Sequence, residues 1–276
     1  MTERLASHGP WHSQEHHLVR LEWGLAGASF LVRYAAERGS AVIAVVVDVL
    51  SFTTCVSVAA DNGIRVVPYR WRDESAESFA AAQGAALAVP RSAARAEGGI
   101  SLSPASIRAA GPLESLVLPS PNGSTVTTVL AESGATVVAA SLRNGAAVGR
   151  WLADRFRSSA GSPPVVVLVP SGERWPDGSL RPAVEDAWGA GVVAAALMDS
   201  LEHQAGPLLL SPEAEAARAA FASVRDRVGE ALAGCSSGRE LVEQGYPDDV
   251  AIAAELDASS TVPVLIDGAF RPSPVE

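Results

Sequence analysis

Asp48 ends the apolar run Val45-Val46-Val47, and small hydroxyl residues follow it closely: Ser51, Thr53 and Thr54. A β-branched run that stops on an acid reads as a buried parallel strand whose carboxyl end carries a polar group. Ligands of open α/β sheets bind beyond that end. An acid beside a helix start and hydroxyl donors suits a metal ion and a phosphate, because helix N-termini attract anions while the acid attracts the cation. An aspartate that merely caps its helix gives the same pattern.

Four further clusters carry candidate chemistry. In Pro119-Ser120-Pro121-Asn122-Gly123-Ser124-Thr125, two prolines fix a turn, and Gly123 and Ser124 open a helix that offers N–H groups to an anion. An ordinary Asn-Gly turn would look alike. Arg143 and Asn144 follow the strand pattern 136–140, where a guanidinium could pair with a phosphate or sulfonate. Glu173 and Arg174 follow Pro170-Ser171-Gly172 beyond another apolar strand, with Glu185 and Asp186 downstream. Acids in a first helical turn also satisfy the helix dipole; as ligands, carboxylates without histidine suit Mg²⁺ rather than Zn²⁺. Cys235-Ser236-Ser237-Gly238-Arg239 enters a further helix. Arg239 follows Cys235 by four residues, too few for the C-x₅-R pattern of a cysteine phosphatase, so Cys235 is not expected to be a nucleophile.

Other chemistries are excluded by their missing signatures. Four of the five histidines (His8, His12, His16, His17) fall in the first seventeen residues, which leaves no credible Ser-His-Asp triad. There is no Walker A sequence, no GxGxxG after a strand, and no D-x-D-x-T.

The elements that must position these residues alternate. Strand patterns fall at 17–23, 41–47, 65–69, 116–118, 136–140, 165–169 and 262–266. Helical patterns fall at 53–61, 73–88, 124–133, 144–157, 184–201, 212–233, 238–244 and 248–257. Loops are expected at 158–164 and around 104–112. This alternation implies an α/β fold with a largely parallel or mixed sheet. The blocks 47–67 and 118–138 share one grammar of strand, polar loop, helix, Gly C-cap and strand, offset by roughly 71 residues, which suggests an internal duplication with two similar loops at one sheet edge.

The 276 residues carry a net charge of −10, and no basic stripe marks a nucleic-acid surface. Cys55 and Cys235 form neither a metal spacing nor a disulfide framework, which matches a reduced, cytoplasmic setting. No signal peptide or membrane span is expected. The expected layout is an N-terminal arm over 1–17, one α/β domain, of one or two lobes, over 18–270, and a tail over 271–276. Homo-oligomers are compatible with it.

Taken in order, VVVDVLSFTT, SPNGST, ASLRNGAAV, VPSGER with VEDAWGAG, and CSSGRELVEQGYPDDVAIAAELD with VPVLIDGAF resemble the 2-phosphosulfolactate phosphatase family. The resemblance implies a three-layer α/β/α fold and a Mg²⁺-dependent phosphatase acting on a small phosphorylated acid in coenzyme M biosynthesis. It carries Asp48, Asn122, Glu173, Glu185, Asp186 and Arg239 over as site residues. On that reading Asp48, Glu173 and Arg239 are catalytic, and Asp48, Glu185 and Asp186 are metal ligands. Ser51, Thr53, Asn122, Gly123, Ser124, Arg143, Asn144, Ser237 and Gly238 bind substrate. Whether Asp48 acts as nucleophile or ligand stays open. The family pattern has an arginine after D-V-L where this chain has Ser51. Poor use of phosphosulfolactate, improved by Ser51→Arg, is the expectation that follows. A small-anion-binding protein without turnover, or another metal-dependent hydrolase or lyase, is the alternative.

Overall fold

The computed structural model describes residues 10–70, 75–159, 161–201 and 209–273. The first half of the chain forms β1 (Val19–Leu21), α1 (Gly24–Glu37), β2 (Val42–Val47), α2 (Phe52–Asp61), β3 (Arg65–Tyr69), α3 (Ser75–Gln83), β4 (Ala86–Leu87), α4 (Arg91–Glu97), α5 (Pro104–Arg108), β5 (Ser115–Pro119), α6 (Gly123–Glu132) and β6 (Thr136–Ala140). There follow α7 (Gly145–Ser158), β7 (Val165–Pro170), β8 (Glu173–Arg174), β9 (Leu180–Arg181), α8 (Val184–Leu201), α9 (Pro212–Ala222), α10 (Val228–Gly234), α11 (Ser236–Glu243), α12 (Pro247–Ala253), β10 (Pro263–Ile266) and β11 (Ala269–Pro272).

All six residues of β2 are buried, because each face of the strand meets a different core. Ile43, Val45 and Val47 face a core shared with α7, α8 and α9. Val42, Ala44 and Val46 face one shared with α1, α2 and α6. A strand covered on both faces loses the polar alternation of a half-exposed one, which is why it reads as an unbroken apolar run. The result is the expected α/β architecture, with helices on both sides of a mixed sheet.

Nine strands form that sheet in the order β1-β7-β2-β6-β10-β11-β3-β5-β4. β1, β7, β2 and β6 are mutually parallel. The β10–β11 hairpin then reverses direction three times, so β3, β5 and β4 run opposite to β2.

The repeated grammar has a structural counterpart. α2 and α6 are ten residues each, displaced by 71 positions, and β3 and β6 are five residues each with the same displacement. The units exchange strands: β2 of the first pairs in parallel with β6 of the second, and β5 of the second with β3 of the first. The two loops after β2 and β5 meet, but not as the expected neighbours at one sheet edge, since their strands run in opposite directions. They meet because α2 and α6 lie in one core and touch each other.

Several boundaries differ from the sequence expectation. α1 was not anticipated, because Gly24, Gly27 and Ser29 lower its helix propensity even though Ala28, Leu31, Val32 and Ala35 bury one face. The helix expected at 73–88 stops at Gln83, and Ala86 and Leu87 join β5 as a short edge strand. The expected loop at 104–112 contains α5, capped by Ser103. The helix expected at 212–233 breaks into α9, a 3-10 turn and α10, although the buried spacing Phe221, Val224, Val228 runs through the break. Within residues 10–17, Ser13 and Gln14 are buried against the fold while Trp11, His12 and His16 are exposed, and the Gln14 side chain both donates to and accepts from the Leu21 backbone. His8 and His203 lie outside the described residues. Among those described, no helix is long and apolar enough to cross a membrane.

Candidate functional site

The Asp48 carboxylate sits between the N-termini of α2 and α6. Phe52 N–H donates to its Oδ1 at 3.1 Å and Gly123 N–H to its Oδ2 at 2.9 Å. Phe52 and Gly123 are the first residues of the two repeated helices, so equivalent donors grip the two oxygens from either side. Gly123 is required there, because a Cβ would lie 2.7 Å from Asp48 Oδ2 and 2.3 Å from the Phe52 ring. The Asp48 backbone is pinned by Thr53, whose hydroxyl accepts from Asp48 N–H at 3.0 Å and donates to Asp48 C=O at 2.9 Å. Thr54 and Ser124 hydroxyls are likewise spent on the carbonyls of Val49 and Leu118.

Asp186 closes the same space from α8. Val49 N–H donates to its Oδ1 at 2.8 Å and Gly172 N–H to its Oδ2 at 2.9 Å. It thereby ties the loop after β2 to the loop after β7. Burial pushes the Asp186 carboxyl well above its usual range, and the charges of Asp48 and Glu185 push it further. Glu173 stands on β8, paired across a two-stranded ladder with Arg181 of β9. The Asn122 amide donates to Glu173 Oε2 at 2.8 Å. Burial first, then the Asp48 charge, raises the Glu173 carboxyl to about 7, against the opposing field of Arg181. Glu185 is buried and accepts from the Cys235 thiol at 3.5 Å. Burial and the Glu185 charge push that thiol up to about 12.

Four acids, Asp48, Glu173, Glu185 and Asp186, thus share one electrostatic neighbourhood. Other predicted residues lie elsewhere. Arg143 is buried between Asp61, at 3.2 Å, and Glu255, at 3.1 Å, with Ser57 as a third partner. These bonds tie α2 to the chain after α12 and take Arg143 away from the anion site expected for it. Asn144 is also buried; it accepts from Ser141 and donates to the carbonyls of Ala139 and Thr261, which uses its amide structurally. Arg239 is exposed and pairs with Glu243 at 3.6 Å along its own helix, so it is not brought to the acids. Ser237 accepts from Arg181 at 3.4 Å. Gly238 permits α11 to press on α10, since a Cβ would strike the Leu232 carbonyl.

The sequence reading missed Arg91. Its Nη2 donates to Ser51 Oγ at 2.8 Å, while Asp249 Oδ2 accepts from its Nε at 3.2 Å and its Nη2 at 3.1 Å. Asp249 is itself buried and held by the Ser103 hydroxyl and Ala105 N–H. A guanidinium therefore stands at Ser51, delivered from α4 instead of from position 51. The signal was hidden by the alanine run 80–88, whose helix propensity masked β4, the strand that leads into α4.

A sequence model of the 2-phosphosulpholactate phosphatase family matches residues 32–268. The chain belongs to that family. The matched span covers most of the chain and includes Asp48, Asn122, Glu173, Glu185, Asp186 and Arg91. It is a phosphatase family, so a phosphorylated small molecule is the substrate class. No curated protein matches the chain.

Among the described residues, no three acids, histidines or cysteines converge as a metal cage. Mg²⁺ rarely uses such a cage; one or two carboxylates, waters and substrate phosphate complete its octahedron. Asp186 keeps lone pairs beyond the two backbone N–H bonds it accepts. Oxygen-only donors and four acids faced by few cations fit that ion.

Proposed function

We propose that this family member is a Mg²⁺-dependent phosphatase that hydrolyses the phosphomonoester of a small acid at the Asp48 cluster. The observation that carries this reading is the grip on Asp48. Two helix N-termini hold its carboxylate in place and supply the positive field that a phosphoryl group needs. Asp48 and Asp186, with Glu185 behind them, would hold Mg²⁺. When bound, the ion neutralises charge on the phosphate oxygens.

The chain's own residues have separable tasks. Arg91 and Arg181 supply guanidiniums for anionic oxygens, and the buried Asp249 fixes the first of these in place. Glu173, titrating near neutrality, can give a proton to the leaving alkoxide and take one from water. Asn122 orients that carboxyl through its 2.8 Å bond. Phosphate release from phosphomonoesters of 2-hydroxy acids, measured with Mg²⁺ and after exhaustive chelation, tests the proposal. Turnover that survives chelation rejects the metal, and no turnover on any ester rejects the phosphatase. The latter outcome would favour a binding protein for small anions.

A further inference from the structure

Arg91 stands in the wall of a cavity of about 450 Å³ that none of the four clustered acids lines. Leu87 of β4, Leu102, and Pro119 at the end of β5 form part of that wall. Tyr246, the N-cap of α12, completes it, with the Arg91 guanidinium 5.3 Å from its ring centroid. Asp249 accepts from Nε and Nη2 of this guanidinium, and Ser51 Oγ accepts from Nη2, so its orientation is fixed. Arg91 Nη1 and the Tyr246 hydroxyl bond to no group among the described residues. Two unused donors, one charged and one neutral, thus belong to one cavity wall. The guanidinium also touches Ser51, one residue before Phe52, whose N–H holds Asp48.

We propose that Arg91 and Tyr246 bind the acid group of the substrate, a carboxylate or sulfonate, while the phosphoryl group sits at Asp48. The inference rests on the phosphatase reading above and divides the substrate's two anions between two places. Charge decides the division. Asp249 already opposes the Arg91 charge, and the exposed Glu77 on the same wall adds to the opposing field. What remains at Arg91 is a fixed fork of N–H donors, which suits a monoanion by geometry more than by net charge. A phosphomonoester dianion needs a stronger positive field, and the two helix starts at Asp48 supply one. In the ester of a 2-hydroxy acid the two anions hang on adjacent carbons, so their sites must adjoin. The contact of Arg91 with Ser51, next to Phe52, meets that requirement. Arg91 and Tyr246 thereby select phosphorylated acids over phosphorylated alcohols.

The test compares kcat/KM for 2-phospholactate and isopropyl phosphate, which has a methyl group in place of the carboxylate. The wild type is expected to prefer the acid by at least about tenfold, the worth of one charge-assisted hydrogen bond. Arg91→Gln should shrink that ratio to within about threefold. Tyr246→Phe keeps the ring beside the guanidinium and removes only the hydroxyl, so it should lower the ratio by about two- to tenfold. The ratio is the readout because a merely structural loss lowers both esters alike. Calorimetry with lactate and with 2-hydroxyethanesulfonate needs no turnover, and the two acids show whether carboxylate, sulfonate or both are taken. Binding to the wild type that Arg91→Gln abolishes, with no ester cleaved, keeps the acid site and rejects the phosphatase. A wild type without preference for the acid, or a ratio that both variants preserve, would overturn the inference. So would acid binding that Arg91→Gln leaves intact, or a wild type that neither cleaves the esters nor binds either acid.

Discussion

Arg91 Nη2 donates to Ser51 Oγ at 2.8 Å, so the small residue after Asp48-Val49-Leu50 receives a guanidinium from a helix forty positions downstream. The anion site therefore need not lack the cation that Ser51 omits. Asp249 binds the same guanidinium through two nitrogens and orients it without Ser51. Arg91→Gln is expected to lower kcat/KM by about 10- to 100-fold, the worth of one charge-assisted hydrogen-bond pair at roughly 1.5–3 kcal/mol. Ser51→Ala should cost less than about threefold. Ser51→Arg should bring no gain, because two guanidiniums would then compete for one place. Melting curves must accompany the Arg91 variants, since Asp249 is buried and loses its countercharge; Arg91→Lys keeps the charge and serves as control. A wild-type rate in folded Arg91→Gln would show that Arg91 serves only Asp249.

Asp48→Asn replaces one accepting oxygen with a donor that must face Phe52 N–H or Gly123 N–H. Two donors in contact leave a buried group unsatisfied, at about 1–3 kcal/mol. The variant is expected to melt lower and to lose at least about a hundredfold in turnover. Gly123→Ala should do similar damage sterically. Turnover near normal in a folded Asp48→Asn would contradict a chemical role for Asp48.

Glu173 gives a pH signature whose sign is fixed by its burial. Its carboxyl is raised to about 7, while an unfolded glutamate titrates near ~4.3. Between those values the folded chain keeps a proton that the unfolded chain has released. Stability therefore falls as pH rises from about 4.3 to about 7 and levels off above, by on the order of 3–4 kcal/mol. Glu173→Gln should flatten that part of the curve of unfolding midpoint against pH. In its proposed role as proton donor to the leaving group, Glu173 should also make kcat/KM decline through neutrality, and the glutamine variant should lose that limb. Superimposable stability curves for the two proteins would refute the burial argument.

The strands of the sheet were legible where burial on both faces writes an unbroken β-branched run, as in 42–47 and 165–169. Asp48 and the loop 119–125 were legible because a polar residue ending such a run needs a reason. Arg143 misled, because a strand-end arginine reads the same whether it faces an anion or two acids, and Asp61 and Glu255 are far away in sequence. Arg239 misled for the opposite reason: the helix turns its side chain outward, which spacing from Cys235 does not reveal. The strand exchange between the repeated units was invisible, since pairing partners leave no mark in either unit alone.

Cys235 is the N-cap of α11, where its sulfur accepts from Gly238 N–H at 3.4 Å and its thiol faces Glu185 and the Leu232 carbonyl. With the thiol pushed up to about 12, very little thiolate is present at neutral pH, so the group is a poor nucleophile. Serine is among the preferred N-caps, and its hydroxyl can donate to Glu185 and accept from Gly238 as the thiol does. Cys235→Ser is therefore expected to keep kcat within about threefold and the melting temperature level or slightly higher. Iodoacetamide should leave the native wild type active over the time in which it modifies an unfolded control. Rapid stoichiometric inactivation that phosphate prevents, and that the serine variant escapes, would mean that a thiolate forms at this site despite its buried, acidic surroundings.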